Sequence, residues 1–326
     1  MGESTSRRRG RFAPTPSGSL HLGNARTALL AWLQMRAAGG EILLRIEDID
    51  KPRSRAEWAE EIVCDLEWLG LAFDEGPEEG GAYGPYVQSE RDELYQAALD
   101  RLEAGSWLYP CYCSRADLAG IASAPHGLGS EGPVYPGTCR GLTLEERRAK
   151  EAVKAPSLRF RVPDRERWIE DGLLGLEHFG PGAGGDFVVR RADGIIAYQL
   201  AVVVDDAAMK ITDVLRGMDL LDSTPWQLGL FEALGETSPA YAHVPLLYGP
   251  DGSRLSKRHG AVGISSMRQG GTKPEEVVGC LAFWSGLMDR PEPVRASDLI
   301  EGFQMEKIPK EPVQLEEYLL RRLSGQ

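Results

Sequence analysis

Between Arg11 and Asn24 the chain reads RFAPTPSGSLHLGN, which places His21 and Gly23 where a short apolar run gives way to a helical pattern. An anion bound at the start of such a helix meets free backbone N–H groups and the positive end of the helix dipole. Gly23 has no Cβ to hold a phosphate away, and His21 can donate a hydrogen bond to an oxygen that gains charge during phosphorus chemistry. Pro and Gly also punctuate ordinary strand-to-helix turns, so the turn alone is weak evidence. A companion lies far down the chain in GPDGSRLSKRHG, where Lys257, beside Ser256 and Arg258, could follow a triphosphate as it changes shape. A basic surface loop is the plain alternative. Metal chemistry is suggested by YPCYCSR and VYPGTCRG, in which Cys111, Cys113 and Cys139 could hold a structural zinc in a closed tetrahedral site. Such a site needs a fourth ligand, for which generic Cys3His spacing nominates His126; reduced, packed thiols are the reading without metal.

These residues need elements to position them. Leu22, Ala25, Leu29, Trp32 and Leu33 recur at helical spacing and Gly39-Gly40 ends the pattern, which predicts a helix over 22–38 directly after the turn. With the short strand before it and EILLRIE after it, this makes a right-handed βαβ unit on a parallel sheet. Amphipathic helices are predicted over 54–71 and 88–105, the second opened by Ser89 as a candidate cap. Residues 106–185 turn rich in Gly, Pro, Cys and Tyr and read as an inserted small module. Strand-like alternation resumes with DFVVRR, a turn at Asp193-Gly194, and IIAYQLAVVVDD; KITDVLRG, a helix through TPWQLGLFEALG and HVPLLYG follow. From about 263 onward the chain reads as mainly helical. The division expected is 1–105 and 186–262 as two halves of one α/β domain, 106–185 as the insertion and 263–326 as a short C-terminal region.

Composition sets the outer bounds. The 326 residues are 42% hydrophobic and 26% charged, enough for a sizeable core, and the net charge of −12 argues against a surface broadly coated for nucleic acid while leaving room for a local basic patch. No apolar run approaches a membrane span and no signal-peptide pattern opens the chain, so a cytoplasmic location is expected. The five cysteines are an odd number, which disfavours a disulfide framework; Cys64 and Cys280 lie in apolar helical patterns and read as packing thiols.

HLGN and RLSKR resemble the two ATP-binding motifs of class I aminoacyl-tRNA synthetases. RFAPTPSGSLHLGNARTALL, LLRIEDID, AYQLAVVVDD, VLRGMDLL and RLSKRHG, in this order, resemble the glutamate-specific members and their short paralogues, the glutamyl-Q tRNA(Asp) synthetases. Asn24 stands at the fourth position of the first motif, and Arg254-Leu255 replace Lys-Met in the second. The resemblance implies an α/β fold with a Rossmann-like parallel sheet, a zinc-containing insertion and a short helical C-terminal region. It also implies His21 and Lys257 as catalytic groups, ATP held by His21, Gly23, Asn24 and Lys257, and magnesium with the nucleotide. Glutamate carries two carboxylates and an ammonium. The matching positions are Arg11 and Arg216 for the carboxylates, Glu47 for the ammonium, Tyr198 as a wall, and Phe12, Ala13, Pro14 and Thr15 as the floor. For zinc, the paralogue's Tyr-x-x-x-Cys pattern implies Tyr135 as the fourth ligand with Cys111, Cys113 and Cys139. The chain continues for 68 residues past Arg258, which is short for an anticodon-binding region and resembles the paralogue. The expected partners are therefore L-glutamate, ATP and queuosine-containing tRNA(Asp), handled by a monomer, with Arg140, Arg147 and Arg148 as candidate phosphate contacts. The alternatives are a core charging a tRNA 3′ end and a non-catalytic tRNA-binding paralogue.

Overall fold

The computed structural model describes residues 7–114, 117, 134–253, 255 and 263–324. The first elements are β1 (Arg9–Phe12), α1 (Leu22–Ala37) and β2 (Glu41–Leu44), followed by α2 (Ala56–Trp68) and α3 (Asp92–Ala104). Next come β3 (Leu108–Cys111), α4 (Leu144–Glu151), β4 (Ser157–Phe160), the hairpin β5 (Arg167–Asp171) and β6 (Gly175–Phe179), and then β7 (Phe187–Arg190). The chain returns through α5 (Tyr198–Ala208), β8 (Asp213–Gly217), α6 (Thr224–Leu234), β9 (Ala240–Val244) and β10 (Leu247–Tyr248). It closes with α7 (Ile264–Gln269), α8 (Pro274–Trp284), β11 (Val313–Gln314) and α9 (Glu317–Ser324).

A four-stranded parallel sheet in the order β2-β1-β8-β9 is the centre of the fold. Parallel neighbours require crossovers, and α1 supplies the one between β1 and β2, as the sequence spacing predicts. β3, β4 and β7 form a separate antiparallel sheet. Below the parallel sheet, apolar residues of α1, α2, α8 and α9 form one core, so the C-terminal helices pack against the helix that starts at His21. β10 and β11 pair in parallel and tie the last part of the chain to the segment after β9. No helix among the described residues is long and apolar enough to cross a membrane.

Three local expectations change. IIAYQLAVVVDD does not continue strand-like beyond Ile196, which bridges Arg190; Tyr198–Ala208 is helical. Its apolar residues are buried nearly all round, and a short continuous apolar run does not separate strand from helix by periodicity. Ser89 is not the cap of α3. It lies in a 3₁₀ turn at Gln88–Glu90, its N–H and hydroxyl both donate to Asp48 at 2.8 and 2.7 Å, and the helix begins after Arg91. Cys64 is exposed, because α2 buries Ile62, Val63, Asp65 and Leu66 instead; Cys280 is buried.

Two helical glycines predict opposite outcomes for one substitution. A Cβ on Gly279 of α8 would stand 1.9 Å from the Glu292 carbonyl oxygen, which is backbone and has nowhere to go. A Cβ on Gly229 of α6 would make ordinary contact with Phe160 at 3.4 Å. Gly229→Ala is expected to raise the melting temperature, by helix propensity worth up to about 1 kcal/mol. Gly279→Ala is expected to lower it; thermal melts of both variants check the signs.

Candidate active site

The carboxyl ends of the parallel strands open into a cleft of about 470 Å³. Its walls bring together Arg11, Phe12, Ala13, Pro14, Thr15, His21, Gly23, Asn24, Glu47, Tyr198 and Arg216, residues drawn from four separate motifs. Lys257, with Ser256, Arg258 and Arg254, lies outside the described residues, as does His126. The neighbours of that stretch are at the site: Leu255 lines the cleft, and Gly263 pairs with His21 while Ile264 N–H donates to Leu20 O at 2.8 Å.

His21 is the N-cap of α1. Its Nδ1 accepts from the Asn24 N–H at 3.3 Å, so the neutral ring carries its proton on Nε2. Gly23 matters for that ring: a Cβ there would come within 3.1 Å of His21 Cε1 and 3.2 Å of Nδ1. Beyond β1 and β2 the two backbones stay side by side, with Arg45 N–H donating to Phe12 O and Glu47 N–H to Pro14 O, both at 3.0 Å. This continuation turns Glu47 toward the cleft floor formed by residues 12–15.

Beneath that floor lies a knot of buried charge that motif reading missed. Arg45, fully buried, reaches Asp206 at 2.8 Å, Glu47 at 3.0 Å and Asp205 at 3.7 Å. Arg11 meets Asp206 by two contacts of 3.4 Å, and Arg91 binds Asp205 at 2.6 Å with the Tyr95 hydroxyl alongside. The signal available in the sequence was an arginine interrupting an apolar strand and two aspartates ending an apolar run. Burial pushes the Glu47 carboxyl up from its ordinary value, against Arg45 and Arg11, and pushes the Tyr198 phenol up to about 12.

Arg216 is different. Its Nε donates to His243 Nε2 at 3.0 Å, Nη1 to Gln227 Oε1 at 2.7 Å, and Nη2 to Thr224 Oγ1 at 2.9 Å and Leu220 O at 3.2 Å. Every one of these acceptors is neutral, and among the described residues Arg216 makes no ion pair. Burial accordingly lowers its pKa. Among the described residues the cleft thus holds a desolvated positive charge without a paired carboxylate, and its lining also includes Glu47, whose pKa burial has raised.

The cysteines meet in the insertion. The sulfurs of Cys111, Cys113 and Cys139 lie within 4.8 Å of one another, with Cys113 and Cys139 3.8 Å apart. The Tyr135 hydroxyl stands 3.4 Å from Cys111 Sγ and 3.8 Å from Cys113 Sγ, and accepts from the Cys139 N–H at 2.8 Å. A tetrahedral zinc about 2.3 Å from sulfur and about 2.0 Å from oxygen separates sulfurs by about 3.8 Å, and sulfur from oxygen by about 3.5 Å. The donor set fits that ion. Of the arginines expected to meet phosphates, Arg140 is exposed and pairs with Asp186 at 3.5 Å, Arg148 is exposed, and Arg147 is half-buried with Nε unbonded.

Residues 8–319 match the family model for tRNA synthetases class I (E and Q), catalytic domain. The chain belongs to this family. The enzyme is thus a ligase, and its fold is that of class I synthetases. A protein of Symbiobacterium thermophilum named glutamyl-Q tRNA(Asp) synthetase is 65% identical over 97% of this chain and 98% of its own. One of the same name from Nitratidesulfovibrio vulgaris is 48% identical over the same shares. Glutamate–tRNA ligase 1 of Halorhodospira halophila is 44% identical over 93% of this chain and 64% of its own. The crystal structure of glutamate-tRNA synthetase from Elizabethkingia anophelis superposes with a TM-score of 0.84 at 29% identity, covering 98% of this chain and 70% of that one.

Arg45 yields a stability prediction with a defined sign. Arg45→Met leaves Asp206 and Glu47 buried without their shared cation, at a cost of about 3–5 kcal/mol at neutral pH. Glu47, already raised by burial, is pushed up further, and Asp206, which Arg11 and Arg45 together hold low, loses one of its two cations and rises. The penalty is complete above the raised values and fades as pH falls toward the unfolded carboxylate range. Denaturant melts of variant and parent are expected to differ more at about pH 8 than at about pH 5.

Proposed function

We propose that the enzyme activates glutamate with ATP and transfers it to the queuosine base in the anticodon of tRNA(Asp). The observation that carries the reading is Arg216, a buried guanidinium whose hydrogen-bond partners among the described residues are all neutral, set in one cleft with Glu47 and the His21 turn. A substrate carboxylate supplies the missing counter-ion, and its ammonium compensates Glu47, which offsets the desolvation of both protein groups. Arg11 and Tyr198 complete the walls. ATP lies with its phosphates toward Gly23, Asn24 and the N-terminus of α1, where His21 Nε2–H is the ring's donor.

A glutamate carboxylate oxygen then attacks the α-phosphorus, the bond to the bridging oxygen breaks, and glutamyl-adenylate and pyrophosphate result. The protein contributes position and charge, with Lys257 assigned to the leaving pyrophosphate. Magnesium, which class I synthetases use with ATP, neutralises triphosphate charge when bound. In the second step a hydroxyl of the queuosine cyclopentenediol attacks the activated carbonyl and AMP leaves. The full-length match to two relatives named for this activity supports the tRNA(Asp) substrate.

Labelled glutamate tests the reading. Incorporation is expected into queuosine-containing tRNA(Asp), surviving removal of its 3′-terminal adenosine and absent from tRNA lacking queuosine. Charging of tRNA(Glu) that is abolished by periodate treatment of its 3′ end would replace the proposal with 3′-end aminoacylation.

We assign Cys111, Cys113, Cys139 and Tyr135 to a structural zinc. The purified enzyme is expected to hold about one equivalent by elemental analysis, lost in Cys113→Ser. Tyr135→Phe is expected to weaken zinc retention against a chelator more than His126→Ala; the reverse order would move the fourth ligand to His126.

A further inference from the structure

Asp171, at the end of β5, is a buried carboxylate for which activation and transfer have no use. Its Oδ1 accepts backbone N–H groups from Leu173 and Leu174 at 2.9 Å and from His243 at 3.2 Å, and its Oδ2 lies 2.6 Å from His243 Nδ1. Both side chains are completely shielded from solvent. On the far side of the ring, His243 Nε2 faces Arg216 Nε at 3.0 Å. A guanidinium only donates, so Nε2 must accept, and the ring must be neutral with its proton on Nδ1. Burial agrees, holding the ring below the ordinary imidazole range against the pull of Asp171.

We infer that Asp171 and His243 are positioning residues for the substrate carboxylate: Asp171 fixes the tautomer of His243, and that tautomer gives Arg216 Nε the acceptor that, with Gln227, Thr224 and Leu220, sets the guanidinium plane. The inference rests on the reading that Arg216 binds glutamate. The imidazole acts as a spacer. A carboxylate placed directly on Arg216 would orient the guanidinium and also neutralise it, leaving a weaker site for an anionic substrate; one placed behind an imidazole orients it and leaves its charge for the ligand. Because Asp171 belongs to the hairpin β5–β6, whose following residue Gly172 donates to Tyr241 O at 2.8 Å, the insertion also builds the amino-acid pocket.

Asp171→Asn tests the relay. The amide oxygen can keep the three backbone bonds, which leaves its NH2 to donate to Nδ1; the ring proton then moves to Nε2 and points at Arg216. In glutamate-dependent ATP–pyrophosphate exchange, the KM for glutamate is expected to rise about tenfold or more, while the KM for ATP stays within about twofold. His243→Ala should match that loss, His243→Gln, which retains an acceptor for Arg216, should recover most of it, and Asp171→Asn added to His243→Ala should change nothing further. A glutamate KM unchanged in Asp171→Asn overturns the inference. So does an equal rise in both KM values with a lowered melting temperature, which marks a purely structural role. If Asp171→Asn does not fold, the comparison of His243→Gln with His243→Ala decides, equal losses counting against the relay. Arg216→Ala is read separately: an unchanged glutamate KM there removes the pocket reading itself, whereas a rise there without one in Asp171→Asn removes only the positioning role.

Discussion

Arg45 has no solvent to face, and the protein around it is arranged accordingly. A guanidinium taken out of water needs partners at hydrogen-bond distance, and for Arg45 these are carboxylates, which arrive from β2's own continuation as Glu47 and from α5 as Asp205 and Asp206. Arg11 from β1 and Arg91 before α3 then balance the surplus negative charge. Three buried arginines on two aspartates of α5 therefore tie together β1, the continuation of β2, α5 and the residue before α3, and the upper surface of that same set is the floor of the cleft.

Arg216 differs from Arg11, Arg45 and Arg91 through its partners. Arg11 and Arg45 contact carboxylates, whereas the four hydrogen bonds of Arg216 among the described residues all go to neutral oxygen or nitrogen. The first arrangement stabilises structure, and the second keeps a charge unsatisfied in a low-dielectric wall where an anionic ligand gains most from it. Glu47 shares features of both, being paired with Arg45 on one oxygen yet raised in pKa by burial.

Segments remote in sequence reach the residues around the cleft. Gly263, the first described residue after the RLSKR motif, pairs with His21, the N-cap of α1. The C-terminal helices pack beneath α1, which makes that turn part of the main core. On the other side the insertion contributes Asp171 through β5, while its cysteine cluster sits apart on β3 and the residues around Tyr135.

Much of this was legible beforehand because it is local. The βαβ unit follows from helical spacing in 22–38 between two apolar runs, and the residues assigned to glutamate and ATP come from motifs whose order along the chain resembles one family; the cleft gathers all the described ones. Tyr135 beside the three thiols came from the resemblance to the paralogue's pattern, whereas generic spacing nominated His126. Where the sequence misled, the local signal was degenerate. The run AYQLAVVVDD is apolar on all faces and so carries no period, Ser89 bonds a partner 41 residues away in place of its own helix, and Cys64 sits one step off the buried stripe of α2. The tertiary structure alone decided which charges are partnered. Asp171, His243 and Arg216 lie on three strands far apart in the chain, and no spacing rule links them; only their burial at one point turns three ordinary residues into a chain of hydrogen bonds with a defined proton position.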